Sequence, residues 1–149
     1  MIVESTKFYA MIKVTIKTHD AKTNYQKAHF FVLNKGNNAG KTILQPCMNC
    51  FTVEVDNPDY IESVKYLCNA LAKSNFWKIY LRGSVIPFLA LSDFKKHFTH
   101  KINEMDADYE NHLNLINQIK TIEQAELHFT LKSQKINQLK LAVINLLIQ

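Results

Sequence analysis

Residues 115–146 read LINQIKTIEQAELHFTLKSQKINQLKLAVINL, and their spacing decides how the chain is to be read. With Leu115 at heptad position a, the a seam is Leu115, Ile122, Phe129, Ile136 and Val143. The d seam is Gln118, Ala125, Lys132, Leu139 and Leu146. Eight of these ten positions are apolar, which predicts a coiled-coil-like helix or a helical hairpin. Gln118 and Lys132 interrupt the seam, and either fix its register or mark where it loosens. No glycine or proline stands between Ser92 and Gln149 to stop a helix. Leu141, Ile144 and Ile148 add a second apolar face, so the end of this arm is expected to touch more than one surface. A helix so striped gains its stability from packing an apolar face. It must pair with another chain or partner, or fold back on its own head. Leu115, Ile122, Phe129, Ile136, Leu139, Val143 and Leu146 are the expected interface residues.

Upstream the pattern changes. Phe8 to Thr18 (FYAMIKVTIKT) alternates Ile12, Val14 and Ile16 against Lys13, Thr15 and Lys17, which predicts a strand with one wet face. Ala28 to Asn34 (AHFFVLN) has a continuous apolar middle, as expected of a strand buried on both sides. In Lys35 to Thr42 (KGNNAGKT), Gly36, Asn37, Asn38 and Gly40 all tolerate positive φ and predict a tight turn. Phe51 to Val55 (FTVEV) is a third strand, ended by Asp56-Asn57-Pro58. Asp59 or Asn57 can cap the helix that follows, from Tyr60 to about Ser74, with Ile61, Val64, Leu67, Cys68 and Leu71 on one face. Phe76 to Leu81 (FWKIYL) alternates like a fourth strand, Ser92 is the expected N-cap of a short helix ending near Ile102, and the arm begins near Asp106. The expected fold is α+β. Residues 1–91 form a head with a small mixed or antiparallel sheet of four to five strands and one packed helix, and residues 92–149 form the helical arm.

Hydrophobic content of 47% with 21% charged residues is a globular balance. The net charge of +5 rests almost wholly on lysine, since Arg82 is the single arginine. A basic balance favours acidic partners such as nucleic acid, although bidentate reading of guanine is mainly an arginine property. Three cysteines and no apolar signal core in MIVESTKFYAMIKVTIK point to a cytoplasmic protein. The longest apolar run, Leu141 to Ile148, is broken by Asn145 and too short to span a bilayer, so no membrane partner is expected.

Gly36 to Thr42 resembles a Walker A loop shortened by one residue, and Pro46 leaves little room for the helix that such a loop needs. The same loop can still grip a backbone phosphate through Lys35, Lys41 and free amide groups. Lys35, Asn37, Asn38, Lys41 and Arg82 are the candidate nucleic-acid contacts. Cys47-Met48-Asn49-Cys50 spaces two thiols for zinc, but a second ligand pair is missing. A redox dithiol would need a helix N-terminus, whereas Cys50 leads into a strand. Turn or core packing is the preferred reading of the pair. His97 and His100, i and i+3 on a helix, could share a metal, but surface histidines beside Lys95, Lys96 and Lys101 are the plainer reading. No nucleophile elbow, zinc-protease motif or carboxylate pair in an apolar setting appears, so no catalytic residue, resident metal or cofactor is expected.

One ordered set of residues resembles a known family. It runs Tyr66-Leu67, Leu71, Lys73-Ser74 and Phe76, then Gly83-Ser84-Val85-Ile86-Pro87-Phe88-Leu89 and Asp93-Phe94. The arm closes with Gln138-Leu139-Lys140 and Leu146-Leu147. This set is similar to the end of a target-recognition domain, with the long conserved helix, of type I restriction-modification specificity subunits. The likeness covers rather more than half of the chain. It departs from the family in having no proline between Thr99 and Tyr109, where a proline-rich link usually precedes the helix, and in a short head before Tyr66. HFFVLNKGNNAGK, PCMNCF and GSVIPF together also look like a family of small uncharacterised proteins from Bacteroidota and their mobile elements.

The restriction-subunit resemblance implies a head that reads bases and a long helix that spaces two heads and docks a methyltransferase subunit. It makes Gly83 to Asp93 a hinge and Leu115 to Leu147 a ruler, and transfers no catalytic residue. The expectation is a non-catalytic, DNA-recognition-like module that forms a homodimer or hetero-complex through its arm. The alternative is a phage or mobile-element interaction protein, of anti-restriction type, that binds a protein partner without DNA.

Overall fold

The computed structural model describes residues 12–149, so the part of the first expected strand before Ile12 lies outside the described residues. The chain divides into two compact units, Met1–Tyr109 and Glu110–Gln149.

The first unit is α+β. Its sheet is four-stranded and antiparallel in the order β1-β4-β2-β3, with β1 Val14–Thr18, β2 Ala28–Leu33, β3 Thr42–Ile43 and β4 Cys50–Val55. β4 is central because its register serves both neighbours: Val53 faces Ile16 on one side and Phe30 on the other. Side chains alternate across a strand. Phe51, Val53 and Val55 therefore enter the core with Ile16, Phe30 and Val32. Helix α1 (Ile61–Lys73) closes this layer with Val64, Cys68 and Leu71. Helix α2 (Leu91–Ala107) adds Phe94, Phe98, Ile102 and Met105. Phe94 is the aromatic hub, with ring centroids 5.1 Å from Phe51, 5.1 Å from Phe98 and 5.0 Å from Trp77.

β2 is buried on both faces, as its apolar middle predicts. Phe31 points away from the main core and is covered by the rings of His19, Tyr25 and His29 at 5.2, 5.9 and 5.3 Å. Tyr25 ties this layer to the sheet, its hydroxyl accepting from Thr52 Oγ1 at 3.0 Å. Lys17 and Glu54 pair at 2.7 Å on adjacent strands.

Several expectations need correction. FWKIYL is not a strand: Phe76–Tyr80 is a 3-10 turn entered through Asn75 at φ 60°, and only Leu81–Arg82 (β5) extends. Strict alternation would bury Ile79 with Trp77, yet Ile79 is 79% exposed while Trp77 is buried. Asn57 caps a 3-10 turn (Pro58–Tyr60), accepting from the Asp59 amide at 3.0 Å, and α1 follows it. Ser92 is not an N-cap: Ala90 occupies that position without a side-chain cap, and Ser92 lies inside the first turn. The head does not end at residue 91. α2 continues past Ile102 to Ala107, and four buried side chains of α2 lie in the head, whose unit runs to Tyr109.

The second unit is one uninterrupted helix, α3 (Tyr109–Leu147, 39 residues), not a hairpin. At 1.5 Å per residue it is about 58 Å long. Among the described residues, no helix is long and apolar enough to cross a membrane.

Candidate functional site

The loop Lys35 to Lys41 turns on two glycines, Gly36 at φ 85° and Gly40 at φ 95°, while Asn37 and Asn38 keep negative φ. Its backbone is committed to the head. The Gly36 amide donates to Pro87 O (2.7 Å), Ala39 to Gly36 O (3.1 Å), Gly40 to Leu33 O (2.7 Å) and Lys41 to Asn38 O (3.1 Å). Those four amides are therefore not free to grip a phosphate, so the loop offers side chains instead. The Walker-like reading fails for the same local reason: Thr42 opens strand β3, not a helix, and its hydroxyl donates to Asn69 Oδ1 at 2.7 Å.

Asn37, Asn38 and Lys41 line one open depression of about 660 Å³, together with Asn75, Lys78 and Pro87. The sequence reading missed Asn75 and Lys78, because it placed them at a helix end and in a strand. Asn75 reaches the depression through its left-handed backbone, a conformation asparagine tolerates better than most residues. Lys35 is exposed but is not among the lining residues; it bridges Phe88 in backbone pairing. Arg82 also stands outside the depression, and its charge is engaged. Nε and Nη2 donate to Asp93 Oδ2 at 3.1 and 2.7 Å. Thus three of the five candidate contacts are brought together, with two residues that were not foreseen.

Gly83 to Leu89 is a small hairpin. β5 pairs with β6 (Phe88–Leu89), Gly83 turns at φ 91°, and the Leu89 amide donates to Asn34 O at 2.8 Å. The segment is locked to the Lys35 loop inside the first unit, while the boundary between units falls after Tyr109.

Cys47 is exposed and Cys50 buried. The Cys50 thiol donates to Cys47 O at 3.0 Å, so the pair forms a closed turn, and burial pushes the Cys50 pKa up. Among the described residues no group of three His, Cys, Asp or Glu side chains could hold a metal ion. His97 stacks on Tyr80 at 4.0 Å, and His100 pairs with Glu104 at 3.2 Å; each thus has its own neighbour.

Among the described residues, most of the exposed large apolar side chains lie on the arm. All seven predicted seam residues are exposed, from Leu115 at 48% to Leu146 at 73%. Leu113, Leu127 and Leu141 are also exposed on another side of the helix, with Lys120 and Gln134 between them. Soluble proteins rarely leave contiguous apolar surface of this kind uncovered. Ile116 is the one buried residue of α3.

No curated protein and no solved structure matches this chain. Residues 16–146, which take in the depression and nearly all of the sheet and the arm, match a family of unknown function, and the chain belongs to that family, DUF6943.

Proposed function

We propose that the protein is a non-catalytic recognition module that works as an assembly. The arm pairs with another helix through its a/d seam, and the head offers lysine and asparagine side chains to the backbone of double-stranded DNA. The observation that carries this reading is the uncovered seam on a 39-residue helix. Burial of such a stripe is the ordinary source of stability for a long helix. For DNA, the support is the convergence of Asn37, Asn38, Lys41, Asn75 and Lys78 on one depression in a chain of net charge +5. Amides and ammonium groups of this kind contact phosphates without reading bases. The free thiols Cys47, Cys50 and Cys68 accord with a reducing cytoplasm as its setting.

A second reading has an observation of its own. Arg82, the only arginine, is spent on Asp93, and asparagines outnumber lysines in the depression. That favours an interaction protein of a phage or mobile element, of anti-restriction type, whose arm docks a protein partner while the head ignores DNA.

Solution mass and duplex-DNA binding of one sample, at low and moderate salt, decide between them. An assembly whose affinity falls steeply with salt supports the recognition module. An assembly with no DNA affinity at low salt leaves the second reading, and a monomer that ignores DNA removes the first.

A further inference from the structure

The arm's charges are segregated along its length. Glu110, Glu123 and Glu126 lie in the first half with Lys120, whereas Lys132, Lys135 and Lys140 lie in the second half with no acid among them. We propose that the arm's occupant is a second copy of the same arm, running antiparallel. This rests on the reading that the arm pairs with another helix, and it names the partner.

The register follows from the heptad. Antiparallel pairing sets a positions against d positions. Only one alignment keeps the whole seam in contact: Leu115 against the partner's Leu146, Ile122 against the partner's Leu139, and Phe129 against the partner's Lys132. It continues with Ile136 against the partner's Ala125 and Val143 against the partner's Gln118. Large residues meet smaller or flexible ones at Ile136 and Phe129, and the lysine stem can lie along an aromatic ring with its ammonium at the rim.

The flanking positions agree. Glu126 and Lys140 both fall at position e. In this alignment Glu126 and the partner's Lys140 bracket the two layers made by Ile122 and Ala125, and symmetry repeats the pair. Ile119 and the partner's Leu147 do the same at the ends, extending the apolar contact.

A parallel pair of the same helices would be opposed by its own charges. Lys132 would face the partner's Lys132 inside the seam, and Lys135 at position g would face the partner's Lys140 at position e on both flanks. Like charges there are unfavourable, and a buried pair of ammonium groups more so. Lys132 lies in the central layers in either orientation, so the flanks decide: Glu126 meets the partner's Lys140 in the antiparallel pair, whereas Lys135 meets it in the parallel one, and the apolar seam supplies the affinity.

The test uses the full chain with exposed Cys47 replaced by serine, and two single variants, A125C and I136C. Mixed and oxidised, they are expected to give a cross-linked heterodimer, while neither links to itself alone. Charge reversal gives a second readout: E126K and K140E should each weaken self-association about ten-fold, and the double swap should restore most of it. Strong homodimer cross-links of I136C would overturn the antiparallel register while leaving pairing intact. A parent chain that stays monomeric at all concentrations would overturn the pairing itself, and the arm's occupant is then a different protein. A tetramer that forms the A125C to I136C link supports the proposal.

Discussion

Gly40 is pressed against the pyrrole edge of Trp77: a Cβ at Gly40 would stand 2.7 Å from Trp77 Nε1 and closer still to Cδ1. The backbone there also has φ 95°, so glycine is required twice, once by conformation and once by space. Through this contact the loop that presents Asn37, Asn38 and Lys41 is keyed to the aromatic core. Gly36 has φ 85° but nothing within 4 Å of a Cβ. G36A should therefore cost only the left-handed strain, about 1–2 kcal/mol. G40A adds overpacking and should cost about 3 kcal/mol or more. Urea unfolding followed by the fluorescence of Trp77, the single tryptophan, separates the two. Equal losses would mean that the indole moves aside freely and the loop is not keyed.

Cys68 predicts an alkaline weakness. Burial alone pushes its thiol pKa well up, and its S–H donates to Gly40 O at 3.5 Å. The unfolded thiol ionises near pH 8.5, while the folded one stays protonated. The folded state then binds more protons, so stability is complete below about pH 8.5 and falls as pH rises beyond it. The slope is at most about 1.4 kcal/mol per pH unit for this group. Between pH 8.5 and 10 the parent should lose about 2 kcal/mol more than C68A. Parallel pH profiles for the two proteins would show that Cys68 is not the group responsible. Burial moves Cys50 in the same direction, so the alkaline loss in C68A should be reduced but not abolished.

The depression gives a prediction about salt. Each phosphate neutralised by a lysine contributes about one unit to the slope of log affinity against log salt. K41A and K78A should each flatten the slope by about one. R82A should leave it nearly unchanged, because Arg82 is already paired with Asp93 at 2.7 Å. Removing that exposed pair should change stability by no more than about 1 kcal/mol. If R82A flattens the slope as much as K41A does, the arginine leaves Asp93 to meet DNA, and the sequence-based choice of Arg82 is restored.

Legibility followed periodicity. β2 was readable from its continuous apolar middle, which is buried on both faces, and α1 from its one apolar face, on which Val64, Cys68 and Leu71 are buried as that spacing requires. FWKIYL was misread because five residues of alternation do not distinguish a strand from a 3-10 turn. The deciding feature, Asn75 in the left-handed region, belongs to backbone geometry that side-chain pattern does not encode. The short strands β3, β5 and β6 carry too few residues to show any period. Of the site, the loop side chains were legible from KGNNAGK. Asn75 and Lys78 were not, since they join the depression only through the chain reversal after α1.

Ile136 tests the arm without touching the head. It is 64% exposed on its own chain, so replacing it removes no contact inside the head's core. Within an assembly the same position is buried in the seam, where an unpaired carboxylate loses its hydration without gaining a partner. Ile136→Asp should therefore reduce the solution mass to that of a single chain. The unfolding free energy reported by Trp77 should stay within about 0.5 kcal/mol of the dissociated parent, because surface changes away from packed features rarely do more. Comparison at a concentration where the parent is also dissociated is needed, since assembly itself raises apparent stability by mass action. A variant that assembles like the parent would show that Leu115, Ile122, Phe129, Ile136 and Val143 are not the contact seam. The second apolar face, with Leu141, Ile144 and Ile148, would then be the surface to change next.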